Sequence, residues 1–256
     1  MRPMAAAGRF YPSDEGELEE MVKKFLGNVE TDRQMTNVVA PHAGYPYSGQ
    51  TAAYSYGKLI KADIYVIVGP CHYNATSQPA ATDQDWQTPL GPVEVDERFI
   101  DLLEGVVVDD RPHARDHAIE VQLPFLQVID RDFSVVPLAF GQQDLQEAKK
   151  LARNLDSAAD KIEEEVAVVA SSDLTHFQPD DRLREMDEEI YNKILSMEPD
   201  EFYRQAAQGS VCGFGPIVTA MLSRAVTRAE LLDYSTSADA TGDKSSAVGY
   251  VSIGFK

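Results

Sequence analysis

Three apolar runs in this chain end, after a few small or turn-forming residues, in a histidine. They are Val38-Val39-Ala40-Pro41-His42, Val66-Ile67-Val68-Gly69-Pro70-Cys71-His72 and Val168-Val169-Ala170-Ser171-Ser172-Asp173-Leu174-Thr175-His176. Imidazole is the commonest protein metal ligand and the side chain that titrates near neutrality. A β-branched run followed by a turn reads as a strand end, and ligands of open α/β sheets sit outside the carboxyl ends of strands. The pattern predicts a metal or acid–base site shared by His42, His72 and His176.

Each surrounding motif has a second, purely structural reading. In Pro41-His42-Ala43-Gly44-Tyr45-Pro46-Tyr47-Ser48-Gly49 the glycines and prolines shape a turn. His42 can face a cleft from that turn, or cap a neighbouring helix. Cys71 and His72 are adjacent, so in extended chain they point opposite ways; His72 is the better ligand candidate, with Cys71 a small packed residue. Asp173 and His176 stand three apart. They suit a metal ligand with a general base, or a base with its orienting carboxylate, and Asp173 equally suits an N-cap. No G-x-S-x-G elbow surrounds Ser171 or Ser172, which argues against a serine hydrolase. In Asp116-His117-Ala118-Ile119-Glu120 the histidine and glutamate share a face if helical. His117, Glu120 and Tyr45 are candidates to line the pocket, whereas His113 is expected at the surface. Cys212, in Val211-Cys212-Gly213-Phe214-Gly215-Pro216, precedes an apolar helix. A helix start favours its thiolate, and the alternative is a buried small hydrophobe.

The chain has 256 residues, 43% of them hydrophobic, and a net charge of −19. Such a field repels a phosphate backbone, and no Lys/Arg cluster offsets it, so nucleic acid is not an expected partner. The acidic balance fits a proteome adapted to salt or an ordinary acidic cytosolic protein. No apolar run approaches the length that spans a membrane. The first ten residues lack the apolar centre of a signal peptide, and a cytoplasmic location is expected. Two cysteines in such a chain do not suggest a disulfide.

The elements that must position these groups alternate strand and helix. Strands are expected at Asn37–Ala40, Ile64–Gly69, Val93–Val95, Val106–Asp109, Ser134–Leu138, Glu165–Ser171, Leu231–Ser235 and Ala247–Phe255. Helices are expected at Glu15–Leu26, Gly49–Ile60, Asp96–Leu103, Ile119–Val128, Leu145–Ala159, Asp180–Leu195, Pro199–Gln208 and Pro216–Ala225. Strands that are apolar throughout belong to a sheet covered on both faces. The expected fold is a layered α/β single domain over residues 1–256, with a central, largely buried mixed sheet flanked by helices.

Taken together, APHAGY-x-YSG, GP-x-H, HxxEVQLPFL, SSDLTH and CG-x-GP, in that order, resemble the Memo family, named for the mediator of ErbB2-driven cell motility and common in archaea and bacteria. The resemblance runs from Gly8-Arg9-Phe10-Tyr11-Pro12 to Gly249-Tyr250-Val251-Ser252-Ile253. It implies a fold related to the LigB-type extradiol dioxygenases, in which two histidines and a glutamate bind Fe(II) and a further histidine handles protons. Memo-like proteins carry a cysteine in place of that glutamate. The resemblance thus implies His42, His72 and Cys212 as metal ligands, and His176 as acid–base residue with Asp173 beside the metal. Cys71 departs from the serine that many relatives carry before the second histidine. A thiolate softens the site. Fe(II) is the first expectation, with copper or zinc as alternatives, and the implied activity is that of an oxidoreductase acting on a small molecule. The competing expectation is a non-catalytic module that binds a peptide or small ligand in the same cleft.

Overall fold

The computed structural model describes residues 1–256. In chain order its elements are α1 (Glu15–Leu26), β1 (Asn37–Ala40), α2 (Tyr45–Lys58), β2 (Ile64–Pro70), β3 (Ala80–Ala81), β4 (Trp86–Thr88), β5 (Gly91–Val93), α3 (Glu97–Asp101) and β6 (Val107–Val108). A single 3-10 turn (Glu120–Gln122) leads into α4 (Leu123–Ile129), β7 (Ser134–Phe140), α5 (Leu145–Ala159), β8 (Val166–Ser171), β9 (His176–Gln178), α6 (Asp180–Leu195) and α7 (Pro199–Ala206). Then follow α8 (Phe214–Leu222), β10 (Ala229–Thr236), α9 (Ser237–Thr241) and β11 (Ala247–Phe255).

The main sheet runs in the order β10-β11-β1-β8-β2-β7-β3-β6, and β9 pairs with β11. Its centre, β1-β8-β2-β7, is parallel. β11 joins β1 antiparallel on one flank, and β3 joins β7 antiparallel on the other. Every residue of β1, β2 and β8 is buried. Alternation along these strands divides the apolar side chains between two cores. Val39, Val66, Val68, Val168 and Ala170 meet Leu151 and Leu155 of α5, Phe202 of α7 and Ile217 of α8. Val38, Ala40, Tyr65, Ile67 and Val169 meet Leu18 and Val22 of α1, Tyr56 of α2 and Phe125 of α4. The chain is thus a single α/β domain with a large mixed sheet between helical layers. No helix is long and apolar enough to cross a membrane.

Helix starts follow local chemistry. The Asp14 carboxylate accepts from the Glu17 N–H to open α1, and that of Asp144 accepts from Gln146 and Glu147 to open α5. α2 begins at Tyr45 rather than at Gly49. Pro46 sits in its first turn, where a missing N–H costs nothing, so half of the Pro41–Gly49 motif is helix. α8 likewise starts at Phe214, two residues before Pro216. The segment Ile119–Val128 is a 3-10 turn followed by α4 rather than one helix. β3, β4, β9 and α9 escape the sequence reading because each is only two to five residues long.

Candidate metal centre

β1, β8 and β2 lie side by side and parallel, so their carboxyl ends deliver His42, Asp173 and His72 to one edge of the sheet. His42 is 2% exposed. Its backbone N–H donates to Asp173 Oδ1 at 2.8 Å, and its Nδ1 lies 2.9 Å from Ser171 Oγ. The one hydrogen of the Ser171 hydroxyl goes to the Ala118 carbonyl at 2.7 Å, while Gln122 Nε2 donates to the same oxygen at 2.8 Å. Ser171 is therefore left to accept from His42, which assigns the ring proton to Nδ1. The lone pair on Nε2 faces Cys212 Sγ at 3.1 Å and Asp173 Oδ2 at 4.0 Å. Burial, with the nearby His72 charge, pushes His42 down to about 3, so the ring is neutral at physiological pH.

His72 is held by Asp116. The His72 backbone N–H donates to Asp116 Oδ2 at 2.6 Å, and Nδ1 lies 3.1 Å from Oδ1. Asp116 also accepts from the Ala118 N–H at 2.9 Å. A carboxylate that takes the Nδ1 proton fixes the tautomer and turns Nε2 outward, an arrangement that raises the basicity of a ligand. Burial alone would raise the Asp116 carboxyl, but the His72 hydrogen bond and charge outweigh it and bring it to about 2. Burial lowers His72, and the same partner more than reverses that. The sequence reading assigned Asp116 no role. Its signal was the carboxylate directly preceding a candidate site histidine.

Cys212 reaches the edge from the turn before α8. Its Sγ accepts from the Asp173 N–H at 3.1 Å. A Cβ on Gly213 would lie 2.4 Å from the Ser171 carbonyl and 2.6 Å from Ser172 Cβ, so only glycine allows this turn to lie against the end of β8. Burial, reinforced by the Asp173 charge, drives the Cys212 thiol well above its ordinary range. That is the opposite of the thiolate expected from a helix start: the protein alone desolvates this sulfur more than the helix end stabilises its charge. Burial likewise raises the Asp173 carboxyl, against the pull of the His42 N–H and the His176 charge.

Two groups of donor atoms result, each with all members within 4.8 Å of one another. One is His42, His72 and His117; the other is His42, Asp173 and Cys212. His42 belongs to both, while His72 and Cys212 fall in different groups. His117 is half-buried, with its ring stacked between Phe10 (4.1 Å, 21°) and His72 (4.8 Å, 16°) and edge-on to His42 (5.4 Å, 84°). His176 belongs to neither group. It opens β9, donates from Nδ1 to the Leu174 carbonyl at 2.8 Å, and lies near enough for its charge to act on His42 and Asp173.

Other candidates stand elsewhere. Glu120 is fully buried and turned toward the N-terminal segment, not toward a pocket. It accepts from Arg2, from the Ala5 and Ala6 N–H groups and from Tyr11 OH. Arg2 in turn donates to the carbonyls of His113 and Asp116 at 2.7 and 2.6 Å. This pair straps the first residues to the loop that carries Asp116 and His117. Tyr45 is a core residue packed on Tyr11 and Phe125, with its hydroxyl on the Val121 carbonyl. His113, expected at the surface, is 1% exposed. It packs edge-on against Trp86, and its Nε2 donates to the Ala80 carbonyl at 2.9 Å. Cys71 is half-buried beside the Tyr73 carbonyl and joins neither donor group.

A model of the Memo-like protein family matches residues 2–254. The MEMO1 family protein of Methanosarcina barkeri is 41% identical over 262 residues, covering 99% of each chain. That of Archaeoglobus fulgidus is 40% identical over the full length of both. That of Methanopyrus kandleri is 37% identical over 279 residues. With the fold, the sheet-edge cluster and these full-length similarities in agreement, the chain belongs to the Memo-like family.

Proposed function

We propose that this protein is a metalloprotein that holds one transition-metal ion at His42, His72 and Cys212, and that it acts as an oxidoreductase on a small molecule. The observation behind this reading is the locked tautomer of His42. With the proton on Nδ1, its Nε2 lone pair lies among the donor atoms of both groups. His72 is oriented for the same purpose by Asp116. The donor set fits Fe(II) first and copper or zinc as alternatives, since two imidazoles and one anionic ligand leave coordination positions open. A bound iron or copper would supply redox chemistry at those positions. A coordinating cation also reverses the electrostatics of a buried thiol and favours its deprotonation. His176 then holds or moves a proton at Nε2, because its Nδ1–H is committed to Leu174. Asp173 anchors the His42 backbone and places a carboxylate beside the cation.

Anaerobic purification followed by mass-spectrometric metal analysis tests the reading. Wild type should carry about one equivalent of metal, and His42→Ala, His72→Ala and Cys212→Ala should each carry less. Full metal content in all three variants, or none in wild type, overturns it.

A second reading, a non-catalytic ligand-binding module, is favoured by one observation. A cavity of about 330 Å³ is lined by Tyr47, Phe177, Ser237, Val248 and Tyr250. Phe177, next to His176, is 73% exposed with φ +57°, and Tyr250 lies close enough to feel the Asp173 charge. Oxygen uptake with catechol-like substrates separates the two readings: uptake no greater than that of the metal-free protein favours the module.

A further inference from the structure

We infer that His117 is a metal ligand, and that with His42 and His72 it forms an all-imidazole set that binds a divalent cation without Cys212. The inference rests on the reading of this cluster as a metal centre and extends it to a residue and a second ligand set.

Three observations converge on His117. Its ligand atom and those of His42 and His72 lie within 4.8 Å of one another. Its ring is fixed from both faces by Phe10 and His72, so little conformational entropy remains to be lost on binding. Neither of its ring nitrogens makes a hydrogen bond to the protein; the nearest carboxylate, Asp116 Oδ1, is 3.9 Å from Nδ1. His42, His72 and His113 each have at least one nitrogen engaged by a protein group, and so does His176. Both nitrogens of this half-buried imidazole are thus free of protein partners and available to a cation.

The two donor groups differ in chemistry. His42, Asp173 and Cys212 offer nitrogen, oxygen and a soft sulfur, whereas His42, His72 and His117 offer three borderline nitrogens. Thiolate selects Cu(I) among other ions, while imidazole suits Zn(II), Ni(II), Cu(II) and Fe(II). Three histidines with an open fourth position also describe one type of catalytic zinc site. Because His42 is common to both groups, one cation excludes a second. The identity of the metal then decides whether Cys212 or His117 joins His42 and His72 around it. The Asp116 and Asp173 carboxylates flank these positions and favour a cation on either side.

Co(II), added as the chloride under anaerobic conditions, is the probe. Sulfur ligation gives a near-ultraviolet charge-transfer band, and coordination geometry sets the intensity of the visible bands. Cys212→Ala should still bind one added Co(II), more weakly than wild type, with visible bands and no sulfur band. Adding His117→Asn to Cys212→Ala should weaken binding at least about tenfold, the lower end of what loss of even a second-shell partner costs. Thermal melts establish that each variant is folded. The inference is overturned if folded Cys212→Ala binds no Co(II), or if the double variant binds as tightly as the single one. Failure of the wider metal reading looks different: wild type and His42→Ala would then both leave Co(II) unbound.

Discussion

The strap between Arg2 and Glu120 gives the sharpest stability prediction. Both side chains are almost wholly buried, and the glutamate takes hydrogen bonds from Arg2, Ala5, Ala6 and Tyr11. Glu120→Gln keeps the shape but removes the charge, so a buried guanidinium loses its counter-ion and the new amide N–H₂ faces donors. Breaking a buried pair from one side costs about 3–5 kcal/mol. For a chain of this size each kcal/mol moves the melting temperature by about 2–4 °C, so the variant should melt about 6–20 °C lower. Circular dichroism at neutral pH reads this directly. Arg2→Met combined with Glu120→Met removes both charges and should cost much less than the sum of the single substitutions. A melting point within about 2 °C of wild type for Glu120→Gln would refute the reasoning. So would strict additivity in the double variant.

Three further outcomes follow from the geometry. His113 is buried and pushed down to about 4, against 6.5 in the unfolded chain. Between those values the unfolded chain takes up a proton that the folded one refuses, so stability is full above pH 6.5 and falls by about 3 kcal/mol as pH drops to 4; urea titrations of His113→Gln should show a flatter decline than wild type. Gly249→Ala would place a Cβ 1.8 Å from Asp187 Oδ2, where that carboxylate holds the Thr175 N–H and Tyr234 OH. A loss of about 3 kcal/mol is expected by urea denaturation, and an unchanged midpoint would show that the strand gives way freely. Asp116→Asn should lower Zn(II) affinity by about 10–100-fold in chelator competition, since it loosens His72 without removing a ligand; unchanged affinity would remove Asp116 from the account.

Much of the fold is legible from strand chemistry. Asn37–Ala40 and Ala247–Phe255 are predicted to the residue, as are α1, α5 and α6, because apolar periodicity there meets clear caps or turns. The placing of His42, His72 and Asp173 on one edge follows from the strand ends, once β1, β8 and β2 prove to be neighbours. What could not be read is contact between distant segments. Cys212 meets His42 across 170 positions, and His72 meets Asp116 across 44. The roles of Asp116 and of the Arg2–Glu120 strap exist only through such meetings. The choice between a thiolate and a buried neutral thiol at Cys212 is open in the sequence for a related reason: helix position is a local signal, whereas desolvation depends on everything packed around the sulfur.

The C-terminal strand β11 lies inside the sheet, between β1 and β10, and from Gly249 to Phe255 it is buried without interruption. During synthesis β1 and His42 emerge early, but one flank of β1 stays unpaired until residue 255 has been made. Until then the growing chain exposes an apolar strand edge of the kind that recruits other chains. The sheet whose edge gathers His42, His72 and Asp173 is therefore completed only once β11 has been made. The His42 cluster thus takes its final form late in synthesis, and a chain cut short of β11 is expected to aggregate.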